Sequence, residues 1–215
     1  MKIVFFGDSI TDAGRKYEES SHIGTLGVGF VRLIADRLQG KNPEQYEIIN
    51  RGISGNRVVD LYARVKRDVW NLKPDVISIL IGVNDIWHEI DNQNGVDLQR
   101  FTTVYRMLIE DTLRALPNVK IILCEPFVLP GAATNNTEAM PNRYERFCQV
   151  YEYAKAIKAL AEEFGLPFLP LQEKFIEGAE KSKAEYYLSD GVHPHIAGAT
   201  LIADEWMKLF KKEGN

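Results

Sequence analysis

The chain has 215 residues, 45% of them hydrophobic and 26% charged, which suits one soluble domain over residues 1–215 with a full core. The formal net charge is -4, and Lys and Arg are scattered along the chain, so a phosphate-tracking surface and a nucleic-acid partner are disfavoured. Apolar runs such as Val76 to Val83 fall well short of the roughly 18 residues of a membrane span, and nothing at the start resembles a signal peptide.

A strand is expected at Lys2 to Phe6, followed by Gly7-Asp8-Ser9-Ile10-Thr11 and a long loop from Asp12 to Gly29. A helical pattern at Phe30 to Leu38 leads to a second strand at Tyr46 to Asn50, closed by Gly52-Ile53-Ser54-Gly55-Asn56. Val58 to Trp70 again has helical period, and a third strand, Val76 to Ile81, runs into Gly82-Val83-Asn84-Asp85. Phe101, Tyr105, Leu108, Thr112 and Leu116 recur at steps of three and four, marking a helix before a fourth strand at Lys120 to Glu125. A second long loop spans Phe127 to Asn142, and Phe147, Tyr151, Ala154, Ile157, Ala161 and Phe164 mark another helix. The fifth strand is Pro167 to Pro170, and a last helix at Ala197 to Phe210 follows Ser189-Asp190-Gly191-Val192-His193-Pro194. Five short buried strands alternating with about five helices predict an α/β fold with a parallel sheet covered on both faces.

Cys124 and Cys148 have no metal-like spacing and read as free, reduced core residues, which suits a cytoplasmic protein. Asn135-Asn136-Thr137 has the form of a glycosylation acceptor, but without a secretion signal it reads as a polar loop. The oligomeric state is left open, a homo-oligomer included.

Ligands of an open parallel sheet sit beyond the carboxyl ends of the strands, which is where the glycine-containing blocks fall. A serine hydroxyl needs an adjacent base to accept its proton during attack, and histidine has the matching pKa. Among four histidines, His193 is preferred as base for Ser9. Asp190 lies three residues earlier, close enough to hold Nδ1–H while Nε2 faces outward. Negative charge on an attacked carbonyl oxygen needs fixed donors, and the Ser9 N–H, the Gly55 N–H and the Asn84 side-chain amide are the candidates for this oxyanion hole.

Each block alone has a plainer reading, as a helix-capping turn or a surface pair; their complementary roles on one side of one sheet favour a site. Trp87 is a candidate substrate-binding residue, or equally a core tryptophan anchoring its loop. Asp8 is a candidate for binding substrate or for bonding the turn, and is not counted as catalytic. His195 reads as a helix-start residue, and His22 and His88 as loop residues at the active edge, His88 better solvated than touching substrate. Gly24, Gly27 and Gly29 have the wrong order for a dinucleotide fingerprint.

Taken together, the four blocks resemble those of the SGNH or GDSL hydrolases, a family of esterases, lipases and carbohydrate deacetylases. Gly7 to Thr11 resembles the nucleophile block, with Ile10 where Leu is usual; Gly52 to Asn56 the glycine block, Gly82 to Asp85 the GxND block and Asp190 to His193 the DxxH block. The resemblance implies a flavodoxin-like three-layer α/β/α sandwich with strand order 2-1-3-4-5, acting without metal or cofactor. The phrases GDSITD, NRGISGNRVVDL and GVNDIW further resemble intracellular bacterial acetyl esterases acting on acetylated xylo-oligosaccharides. The expected activity is thus removal of short acyl groups, acetyl on a sugar first, through an acyl-serine. A broad short-chain carboxylesterase or lysophospholipase-like acylhydrolase is the alternative. A flavodoxin-like FMN-binding module would leave Asp190 and His193 without a purpose, and a metal-dependent phosphoesterase would lack its Asp-x-His pair.

Overall fold

A computed structural model describes residues 1–17 and 22–214. Its sheet has five parallel strands, β1 (Lys2–Gly7), β2 (Glu47–Gly52), β3 (Val76–Leu80), β4 (Lys120–Cys124) and β5 (Phe168–Leu169), in the order β2-β1-β3-β4-β5. The interior strands are apolar on both faces: β3 is buried throughout, whereas β2, at the edge, alternates buried and partly exposed residues. That contrast follows from covering both faces of a parallel sheet while leaving its edge in water.

The helices in chain order are α1 (Ser9–Asp12), α2 (His22–Thr25), α3 (Phe30–Leu38), α4 (Val58–Asp68), α5 (Val83–Asn92), α6 (Leu98–Ala115), α7 (Arg143–Phe147), α8 (Val150–Phe164), α9 (Gln172–Lys181), α10 (Ala184–Tyr187) and α11 (Ile196–Lys212). α4, α6 and α8 pack in one layer, and α3 and α11, with α9 and α10 beside them, form the other, giving the three-layer α/β/α sandwich. Trp206 of α11 is fully buried, stacks on Phe210, lies against Phe5 of β1, and donates Nε1–H to Ser78 Oγ of β3 at 3.1 Å.

The five strands sit where expected, within one or two residues. The helices are more numerous than expected. α5 occupies what was read as a loop after Asn84, and α9 and α10 fill the stretch before Ser189. The helical run ending at Trp70 stops at Asp68, and Trp70–Leu72 forms a single 3-10 turn. The expected loop at Asp12 to Gly29 lies partly outside the described residues, and the rest includes α1's last residue and α2. Phe127 to Asn142 carries no helix or strand.

Candidate active site

At the end of β1 the chain turns sharply into α1. A Cβ on Gly7 would lie 2.4 Å from both Leu80 O and Thr11 Oγ1, so only glycine lets the strand end this close to its neighbours. Asp8 caps α1, accepting the Ile10 N–H at 2.9 Å, and Ser9 becomes the first helical residue, partly exposed at the strand's end. Asp8 itself is 1% exposed, so it supports the turn and is shut away from substrate, correcting its candidacy as a binding residue.

From the other end of the chain, the turn between α10 and α11 is closed by a bridge from Leu188 to Pro194 and by the Ser189 N–H donating to His193 O at 2.9 Å. Within it Asp190 Oδ1 accepts the N–H groups of Val192 (2.9 Å) and His193 (2.8 Å), and Oδ2 lies 2.7 Å from His193 Nδ1. His193 Nε2 is then 2.9 Å from Ser9 Oγ, joining residues 184 positions apart. With Nδ1–H donated to Asp190, the Nε2 lone pair is free to accept the serine hydroxyl. The second long loop, 127–142, cradles this turn: Ala133 N–H donates to Asp190 O at 2.8 Å and Leu129 N–H to Gly191 O at 2.9 Å.

Electrostatics follow the geometry. Burial alone would raise Asp190, but the bonds from His193 and the two backbone N–H groups outweigh it and hold the carboxyl down at about 2. The bond to Asp190 raises His193 against the opposing effect of burial, and the charges of Asp190 and Asp8 add to the rise. Burial pushes Asp8 up to about 7, with the Ile10 N–H pulling the other way.

Ser9 opens into a cavity of about 210 Å³ that is also lined by Gly55, Asn84, Trp87, His88 and Asn92. Gly55 has φ of +80°, a conformation that suits glycine, and neither its N–H nor that of Ser9 donates to another group among the described residues. Asn84, 5% exposed in the first turn of α5, gives one amide hydrogen to Asn56 O at 3.1 Å and keeps the other available. Asp85 does different work: buried, it accepts the Val58 N–H at 3.0 Å and so ties α5 to the start of α4. The three residues expected to supply donors thus line one cavity.

Sequence reasoning missed the scaffold beneath. Arg64 donates to Gly7 O and Arg51 O, both at 2.9 Å, and to Asn56 Oδ1 at 2.7 Å, pinning the ends of β1 and β2 to the glycine block while paired with Asp68 at 2.8 Å. It placed His88 at the active edge but in a loop, and it missed Asn92; both line the cavity from α5. Their spacing of four from Asn84 is a helical stripe, and that signal was available once the segment was read as a helix. Trp87 is partly buried and lines the cavity, packing 5.8 Å from the His193 ring and edge-on to Phe147. Its Nε1–H donates to Asp91, which Arg143 also holds at 2.5 Å. His195 is the exposed residue that caps α11, and His22 opens α2 with Nε2 3.1 Å from Gln39 Oε1.

Residues 5–201 match the model of the GDSL-like lipase/acylhydrolase family. The chain belongs to this family. It is a carboxylic ester hydrolase. An acetylxylan esterase from Geobacillus stearothermophilus is 36% identical over 96% of this chain and 92% of its own length, and a GDSL esterase/lipase from Arabidopsis thaliana is 26% identical over 98% and 86%. Among solved structures, a GDSL-like lipase from Parabacteroides merdae superposes with a TM-score of 0.85 at 38% identity, covering 97% of this chain and 94% of that one. The Geobacillus enzyme superposes with a TM-score of 0.81 at 35% identity, covering 97% and 93%. Structures of it described as catalytic mutants have a serine, an aspartate and a histidine, respectively, replaced by alanine.

Proposed function

We propose that this GDSL-like hydrolase cleaves acetyl esters of xylo-oligosaccharides or similar sugars, with Ser9 as nucleophile, His193 as general base and Asp190 as its orienting partner. The observation that carries the roles is the continuous chain from Ser9 Oγ through His193, at 2.9 Å, to Asp190, at 2.7 Å. As Ser9 attacks the ester carbon, its proton passes to Nε2, and Asp190 steadies the imidazolium that forms. The carbonyl oxygen takes up negative charge opposite the N–H groups of Ser9 and Gly55 and the Asn84 amide. Nε2 then returns the proton to the leaving alkoxide, and a water activated by the same imidazole releases the acid.

The sugar rests on two supports. One is the similarity to the acetylxylan esterase. The other is the cavity wall, where the side chains of Ser54, His88 and Asn92 have no hydrogen-bond partner among the described residues and stand beside the Trp87 indole, an arrangement suited to hydroxyls and a ring face. Ser9→Ala and His193→Ala are each expected to lower turnover of p-nitrophenyl acetate at least about a thousandfold with unchanged circular dichroism. Near-normal activity in either removes the assignment. Acetate release from acetylated xylo-oligosaccharide, compared with butyryl and octanoyl esters, tests the substrate class.

A further inference from the structure

The contact between Ser9 and His193 opens on two sides, and only one has been assigned. On the side away from Gly55 and Asn84 lies a second groove of about 300 Å³, walled by Ile10, Ala13, Val28, Phe30, Pro194 and Ile196. The two grooves share Ser9 and His193 and nothing else. Their linings differ, although the Trp87 indole also walls the first. The first is walled by Ser54, Asn84, His88 and Asn92, whereas the second is hydrocarbon apart from the reacting pair and the exposed His195 at its rim.

Val28 and Ile196, at 86% and 76% exposed, are the two most solvent-accessible large hydrophobic side chains among the described residues. They lie on different segments, before α3 and at the start of α11, yet line the same groove. Isolated exposed hydrophobic residues need no explanation, but two converging on a nucleophile do. The groove is lined by Ser9 and His193 as well, so the occupant it fits is part of the ester.

We infer that this groove is a subsite for an apolar substituent of the substrate, a short alkyl chain or an aromatic ring, and that Val28 and Ile196 set the preference for it. A tetrahedral intermediate on Ser9 carries three further groups. With the oxyanion turned to Gly55 and Asn84, the acyl and alcohol parts divide between the polar cavity and this groove. The inference rests on Ser9 being the nucleophile, as proposed above.

Two ester series separate the acyl source from the alcohol source: methyl esters lengthened from acetate to hexanoate, and acetates lengthened from methyl to hexyl alcohol. In one series kcat/KM is expected to climb about fourfold per methylene over the first few carbons, as each is withdrawn from water. Val28→Ser and Ile196→Ser, both at exposed positions, are expected to flatten that climb and together to remove most of it, with melting temperature checked alongside. A climb confined to the acyl series places the acyl chain in the groove; one confined to the alcohol series places the leaving group there. No climb in either, or a climb unaffected by both substitutions, overturns the inference. So does a drop in oligomeric mass of the double variant by light scattering with slopes unchanged, which makes the patch a contact between copies. Methyl acetate hydrolysis that survives Ser9→Ala would instead sink the nucleophile assignment beneath it.

Discussion

With Asp190 bonded to Nδ1, the His193 ring keeps its proton to higher pH than a free imidazole does, and a protonated Nε2 cannot accept the Ser9 hydrogen. The value of kcat/KM is therefore expected to fall about tenfold per pH unit on the acid side of a midpoint lying above about 6.5, as read from a pH profile of the free enzyme. Asp190→Asn removes the largest cause of the rise and should move that midpoint down while lowering kcat. A midpoint unmoved in the variant would separate Asp190 from the ring. Asn84 acts on the other partner in the reaction. In the proposed mechanism its free amide hydrogen meets charge that exists only in the transition state, so Asn84→Ala is expected to lower kcat roughly a hundredfold with KM little changed. The residues named for chemistry were readable because three blocks are glycine-bearing turns at strand ends and the fourth is a glycine-bearing turn ahead of the last helix. Asp8 was ambiguous for the opposite reason: a carboxylate beside a nucleophile looks the same in sequence whether it faces substrate or, as here, an N–H of its own turn.

Among the elements, the strands were the most readable, since β1, β3 and β4 are apolar runs, broken in β3 only by the buried Ser78. The helix α5 was not. Its N-cap is Gly82, with φ of +139°, and its polar stripe runs from buried Asn84 through His88 to exposed Asn92 along the cavity, so its pattern reads as that of a loop. Packing of Ile86 and Ile90 against the core overrides that local impression. Arg64 of α4 went unnoticed because a lone arginine in a helical run ordinarily reads as a solvated face. Here its guanidinium lies 4.4 Å over the Phe6 ring and gathers three carbonyl or amide oxygens from separate segments. Arg64→Met strands those acceptors and leaves Asp68 with only Arg67, at an expected cost of about 3 kcal/mol in urea unfolding. It should also reduce kcat, because the Gly55 turn loses its tether at Asn56.

Across the molecule, the two segments that meet at Ser9 and His193 are joined through the sheet as well. α11 follows directly on the His193 turn, and its Trp206 reaches past β1 to Ser78 in the central strand. Trp206→Ala is expected to cost about 3–5 kcal/mol of stability by equilibrium denaturation, and the loosened helix should weaken turnover before the fold is lost. Stability lost with catalytic rate intact up to the unfolding transition would show that the His193 turn is held by segment 127–142 alone. Layer order and strand order were open to reading from the α/β alternation and the family resemblance, but no local pattern announces that residues 184 apart will share a proton. That separation also governs when the activity can appear. During synthesis Ser9 leaves the ribosome 184 residues ahead of His193, so on the proposed roles a nascent chain stopped before His193 and α11 is inert toward esters.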